Sequence, residues 1–206
     1  MQDLVHTLPS TSKTQILDAA ARVFMQHGVD VASIDDVARD LGATKGRIYH
    51  HFPSKGVLVA EVCLRAADFT YRKVAPVIDP AAPADENLRV MIRTHVPEVL
   101  RTLPYHKVIR QAYTGLYQKS TTATERALHQ RIHDERDRYE GLFRHQIRRG
   151  MDGGAFRNQN LTVALHSILL LVNAPVVWYT PRADEPADFV DRVAHQLADM
   201  ALRALT

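Results

Sequence analysis

Between Gly42 and Lys55 the chain gathers Thr44, Lys45, Arg47, Tyr49, His50, His51, Ser54 and Lys55, a run of hydroxyl, ammonium, guanidinium, phenol and imidazole donors. Donors of these types suit phosphate oxygens and the acceptor-rich edges of base pairs. Ile48 and Phe52, four residues apart, supply an apolar stripe that would hold the run as a short helix with its polar side outward. Gly46 removes a side chain in the middle of the set, where such a helix would come closest to a groove floor. The chemistry implied is recognition of nucleic acid: Lys45, Gly46 and Tyr49 toward bases, Thr44, Arg47, His51 and Lys55 toward phosphates, the Ser54 helix N-terminus adding backbone donors, and His50 as a further DNA-binding candidate. For any single residue the alternative is a solvated polar face beside an ordinary helix cap.

Three further elements must position this helix. Ser33 precedes Ile34-Asp35-Asp36-Val37-Ala38-Arg39-Asp40-Leu41, where apolar residues 34, 37, 38 and 41 share one helical face and an acid follows the serine at the capping-box distance. Gly42 offers a left-handed stop, and Ala43-Thr44 begins the next helix after a turn too short for anything but a sharp corner. The spacing predicts a helix-turn-helix, with the Ser33 helix N-terminus adding backbone donors for an anion. An earlier helix from about Ser12 or Thr14 presents Ile16, Leu17, Ala20, Val23 and Phe24 and stops at Gly28. Residues 1–11 lack periodicity and read as a flexible arm. Ser54 caps a fourth helix running to about Val74.

Charge supports this through its distribution. The net charge of the chain is +3, which many proteins share. Within residues 1–56, Lys13, Arg22, Arg39, Lys45, Arg47 and Lys55 are balanced by Asp3, Asp18, Asp30, Asp35, Asp36 and Asp40, yet every acid precedes residue 41 and the last three cations follow it. A local basic patch would therefore have to hold DNA.

The remainder stays helical: about Asp85 to Leu100 with Pro97 as a possible kink, Tyr105 to Tyr117, Thr124 to Arg149, Leu161 to Tyr179, and Ala187 to Leu205. No run alternates with period two, so the fold class is all-α with about nine helices. Pro76, Pro80 and Pro83 mark a boundary, and the division expected is a DNA-binding domain over 1–56 and a helical domain over 57–206. With 206 residues and 46% of them apolar the chain can bury a large core. The single cysteine, Cys63, excludes an internal disulfide framework and suits a reducing compartment. No signal peptide or spanning helix is expected, which makes the cytoplasm, at the nucleoid, the default location.

The first helix ending in Phe24-Met25-Gln26-His27-Gly28, the Ile34-Asp35-Asp36-Val37-Ala38 helix, and Lys45-Gly46-Arg47-Ile48-Tyr49-His50-His51-Phe52-Pro53-Ser54-Lys55 together resemble the DNA-binding domain of the TetR family of bacterial transcriptional regulators. The resemblance implies a homodimeric, ligand-responsive repressor whose paired recognition helices enter successive major grooves of a pseudo-palindromic operator in double-stranded DNA, and it assigns ligand binding and dimerisation to the helical domain over 57–206. Two positions depart from the family pattern: Arg47 replaces a small residue, and Gly56 replaces the usual acid at the start of the fourth helix, which predicts a weaker cap there.

Gly153-Gly154-Ala155-Phe156 and the apolar helix ending in Val176-Val177-Trp178-Tyr179-Thr180-Pro181 look like the family's approach to its last two helices, which form a four-helix dimer interface. Leu165, Leu169, Val172, Val176, Phe189, Val193, Leu197 and Met200 are the interface residues so expected. The Trp-Tyr-x-Pro ending is similar to family members that respond to acyl-CoA thioesters. For such an effector Arg110, Tyr113, Arg138, Tyr139, Phe143, His166 and Trp178 are candidates by residue type and helix phase, with core aromatics and surface arginines as the alternative.

Glu125, His129, His133 and Asp137 recur every four residues, a spacing able to hold a divalent metal, but the interleaved charges around them read better as an ion-paired helix. No metal or other cofactor is expected. No catalytic order of Ser, His and Asp or of Cys and His is supported, so an enzyme is not expected. A helical enzyme acting on a CoA thioester, or an architectural DNA-bound protein without an effector, are the rival readings.

Overall fold

The structure is a computed structural model that describes residues 12–115 and 122–206, with the side chains of residues 113–115 outside the description. The expected N-terminal arm also lies outside it. The described residues form ten α-helices and no strand: α1 (Ser12–His27), α2 (Ile34–Leu41), α3 (Lys45–His51), α4 (Lys55–Val74), α5 (Ala84–Arg101), α6 (Leu103–Gly115), α7 (Ala123–Asp152), α8 (Leu161–Asn173), α9 (Pro175–Trp178) and α10 (Phe189–Leu205). The all-α expectation holds.

Packing divides the described residues into two compact units, one made of those up to 65 with those between 104 and 132, and the other of 66–103 with 133–206. This differs from the sequence division at residue 56, because α6 and the start of α7 pack in the same unit as the three N-terminal helices. The proline-rich stretch is no boundary either. Pro76 sits in a short 3-10 turn, Ala75–Val77, and the loop is tied back within its own unit. Asn87 Nδ2 donates to the Asp79 carbonyl at 2.7 Å, Asp79 N–H donates to Asn87 Oδ1 at 2.9 Å, and Arg149 reaches the Ala82 carbonyl at 2.7 Å. Prolines there end a helix without loosening the chain.

In the first unit Ile16, Ala20, Val23 and Phe24 of α1 meet Ile34 and Val37 of α2 and Ile48 of α3 as a buried core. In the second, Leu88, Met91, Ile92, Val96 and Val99 of α5 share a core with Phe143 and Ile147 of α7, Leu165, Ile168 and Val172 of α8, and Ala194, Ala198 and Leu202 of α10. Small residues on α10 let it lie close along α5. Pro97 is accommodated within α5.

The apolar stretch expected as one helix from Leu161 to Tyr179 is two, α8 and α9, because Pro175 has no N–H to continue the ladder. Leu161–Trp178 is long and apolar enough to cross a membrane by length and composition, a test that the core helix of a soluble protein also passes. Within the unit, however, Leu165, Ile168, Val172 and Val176 of that stretch lie buried in the protein core.

Candidate nucleic-acid interface and effector site

The recognition corner follows from local rules. Ser33 Oγ accepts the Asp36 N–H at 3.2 Å, and Asp36 Oδ2 in return accepts the Ser33 N–H at 2.9 Å and hydroxyl at 2.7 Å. These bonds, with Arg39 adding to them, hold the Asp36 carboxyl down at about 2. Gly42 closes α2 at φ 63°, the left-handed region that a side chain would strain. Thr44 then caps α3 through the Arg47 N–H at 3.4 Å. Ile48 and Phe52 are fully buried, so α3 is pinned on one side and its opposite side carries Lys45, Gly46, Tyr49 and His50, all exposed.

Tyr49 is 49% exposed despite its size. A Cβ on Gly46 would meet nothing nearer than Thr44 Oγ1 at 3.9 Å, so nothing in the protein's own packing demands glycine there. Lys45 pairs with Asp35 of α2 at 2.5 Å while remaining well exposed. Two of the cations expected to face phosphate have partners within the protein. Arg47 donates to Ser12 Oγ at 3.0 Å and to Gln15 Oε1 at 2.8 Å, tying α3 to the start of α1. Lys55 donates to the Asp30 carbonyl at 3.1 Å, and partial burial lowers its affinity for the proton. The partners of both are distant in sequence and invisible to a helical pattern. The rings of His50 and His51 meet edge-on at 5.1 Å. Ser54 accepts the Val57 N–H at 3.1 Å, the cap expected for α4.

Sequence reasoning missed the residues of α6 and α7 that complete this unit. Tyr105 donates its hydroxyl to Asp18 of α1, and Gln111 accepts the Val29 N–H at 3.0 Å. Glu125, taken as one point of a metal-compatible stripe, instead accepts the Ser54 hydroxyl at 2.8 Å and is buried. Among the described residues no group of three or more His, Cys, Asp or Glu is arranged to hold a metal ion.

In the second unit a polar cluster lies inside the apolar core. His95 Nδ1 of α5 and Tyr139 Oη of α7 share a hydrogen bond at 2.7 Å, and the Phe143 ring stands edge-on to His95 at 6.2 Å. Burial pushes His95 down to about 4, with Asn173 pulling the other way, and pushes Tyr139 well above its ordinary value, so both are neutral at pH 7. His95 Nε2 and Gln146 Oε1 are buried without a hydrogen-bond partner among the described residues. Of the expected effector residues, Tyr139 and Phe143 belong to this cluster. Arg138 instead lies over the Tyr71 ring at 3.8 Å. His166 and Trp178 are exposed on α8 and α9, Arg110 is exposed on α6 in the other unit, and the Tyr113 side chain is outside the described residues. His95, Gln146 and Asn173 carried no sequence signal, since a polar residue on an apolar face is conspicuous only once its neighbours are known.

The expected dimer surface is also partly corrected. Leu165, Val172 and Val176 are buried in the protomer's own core. Leu169, Phe189, Val193 and Leu197 are half-buried against it, and Met200 is exposed. The large apolar residues of α8, α9 and α10 that face outward are Val163, Leu170, Val177, Trp178 and Met200. Because α8 is apolar nearly all round, periodicity cannot tell its inner face from its outer one.

Residues 16–62 match the family described as bacterial regulatory proteins, tetR family, and residues 81–205 match the tetracyclin repressor-like C-terminal domain. The chain belongs to the TetR family of bacterial regulatory proteins. It is thus a helix-turn-helix transcriptional regulator, and its TetR-type relatives are regulators rather than enzymes. It is 24% identical over 200 residues to the HTH-type transcriptional repressor KstR2 of Rhodococcus jostii (strain RHA1), covering 95% of this chain and 92% of that one. The ketosteroid transcriptional regulator KstR2 of Mycobacterium tuberculosis has the same fold at TM-score 0.81 and 20% identity, with 98% and 99% of the two chains covered. So does AibR, solved in complex with isovaleryl coenzyme A and operator DNA, at TM-score 0.73 and 22% identity, with 95% and 98% covered.

Proposed function

We propose that this TetR-family chain is a homodimeric repressor, acting in the cytoplasm, that holds a pseudo-palindromic operator through Lys45, Gly46 and Tyr49 and releases it on binding an acyl-CoA thioester. The observation that carries the reading is α3 itself: Ile48 and Phe52 fix one side in the core while a large aromatic, a lysine and a bare glycine stand outward. An exposed tyrosine beside a lysine and a bare glycine on one helix face offers both stacking and hydrogen-bonding groups to a partner. Major-groove entry gives each exposed side chain a base edge to meet.

The second copy is placed on α8 to α10. Val163, Leu170 and Val177 follow one another at seven-residue steps, and with Trp178 and Met200 they leave an apolar surface that a two-fold partner would cover. Leu169, Val193 and Leu197 would border it. The effector is placed on the His95, Tyr139 and Phe143 cluster. Its groups are uncharged, which suits the acyl part of a thioester rather than its phosphates, and AibR supplies the precedent for a CoA thioester in a regulator of this fold. Both α4 and α7 contribute residues to the two units. An effector that favours one dimer geometry then lowers operator affinity by its preference between states, and about 1.4 kcal/mol of coupling suffices for a tenfold loss.

The test begins by enriching duplexes from a random-sequence library with the purified chain. A two-fold-symmetric sequence bound by a dimer is the expected result, and isovaleryl-CoA added to that complex should weaken it. Enrichment of no sequence would overturn the operator reading, and indifference to CoA thioesters of several chain lengths would overturn the effector.

A further inference from the structure

Helix α4 begins beside the recognition helix with no acidic residue in its first turn, although a carboxylate at a helix N-terminus is favourable to the exposed N–H groups there. The missing charge is present in space. A Cβ built on Gly56 would clash with Glu125 Oε1 and lie 3.0 Å from its Cδ, so the carboxylate occupies the volume that any other residue at position 56 would take. Ser54 Oγ accepts the Val57 N–H and donates to Glu125 Oε1. On its own helix Glu125 completes a capping box: Glu125 Oε2 accepts the Thr122 N–H at 3.2 Å, and Thr122 Oγ1 accepts the Glu125 N–H at 3.1 Å. One buried carboxylate therefore serves the first turns of α7 and α4 together.

We propose that Glu125 is a positioning residue for DNA binding, a latch that holds the corner between α3 and α4 to the first turn of α7, with Gly56 as the space it requires. The corner is short. Phe52, which anchors α3, stands two residues before Ser54, so displacement of Ser54 is passed directly to the anchor of the recognition helix. A movement of the first turn of α7 must either break the bond to Ser54 or carry that corner with it. The inference about DNA rests on the operator reading above, whereas the latch itself does not.

Two measurements separate them. Amide hydrogen exchange of the free protein reads the latch, and affinity for the duplex enriched by the wild-type chain reads its consequence. In Glu125→Ala the amides of Val57 and Leu58 should exchange about 5- to 10-fold faster, as for a lost cap. Affinity for the enriched duplex should fall by a similar factor, while binding to random duplex does not weaken. The sign matters, because removing a negative charge would by itself strengthen binding to DNA. Gly56→Ala should reproduce both effects, since its methyl group expels the carboxylate. In the Glu125→Ala background the same change should cost nothing further, alanine being the better helix former. Glu125→Gln keeps an acceptor for Ser54 and should shift exchange in the same direction by less, which gives a second variant if Glu125→Ala fails to fold. Unchanged exchange, tighter binding to the enriched duplex, or equal losses from Gly56→Ala in both backgrounds would overturn the proposal. If the wild-type chain enriches no duplex, the operator reading fails and exchange with the double-variant comparison decides the latch alone.

Discussion

The recognition corner and the His95 cluster use buried and exposed positions in opposite ways. At the corner, the side chains that hold the structure, Ile48 and Phe52, are different from those offered to a partner, Lys45 and Tyr49. In the second unit the polar groups proposed to meet a ligand are themselves within the core, where His95 and Gln146 are buried. Folding and recognition are therefore separable by mutation in the first region and entangled in the second. Separation lets a DNA-reading surface vary freely, whereas a buried recognition group must satisfy packing as well as chemistry.

The sharpest test of inner against outer faces uses two leucines of α8. Leu165 is fully buried and Leu170 is 76% exposed. Leu165→Glu should unfold the second unit, because an unpaired buried carboxylate costs several kcal/mol, a large share of total stability. Leu170→Glu should leave the helices intact by circular dichroism yet sediment as a monomer. Its operator affinity should fall by orders of magnitude, since each half-site would then be bound without the linked second contact. A folded Leu170→Glu dimer would move the interface elsewhere.

A pH titration tests how far His95 is committed to the neutral form. Its folded value of about 4 lies below the ordinary 6.5, so between these values the unfolded chain binds more protons and stability falls as pH falls. The slope should reach at most ~1.4 kcal/mol per pH unit in that window. His95→Gln should flatten denaturation curves collected between pH 6.5 and 4. An unchanged slope would assign the acid sensitivity to other groups.

Tyr49→Ala should show the separability of the first region. It should leave the melting temperature unchanged while costing roughly 1–3 kcal/mol on the enriched duplex and little on random DNA. Equal weakening on both would make Tyr49 a backbone contact. The smallest effect is expected at Lys55, where the ammonium meets the Asp30 carbonyl. Lys55→Ala should cost about 1 kcal/mol of stability or less and leave the salt dependence of binding unaltered. A slope shallower by about one unit per bound subunit would instead place Lys55 on phosphate.

The sequence by itself determined the all-α class, the helix-turn-helix and its caps, because these depend on residues three or four apart. Ser33 with Asp36, Gly42, and Ile48 with Phe52 all lie within one or two turns of each other, and the structure forms each as its spacing predicts. Tertiary structure decided where Arg47 and Lys55 direct their charges, which face of α8 is inside, and that His95 meets Tyr139. It also decided that Glu125 stands at the helix start where Gly56 left a gap in the expected pattern, a gap the sequence alone presented as a weakened cap. Each of these joins residues far apart in the chain, and helical periodicity records the phase of a side chain about its own axis without naming the element it will face.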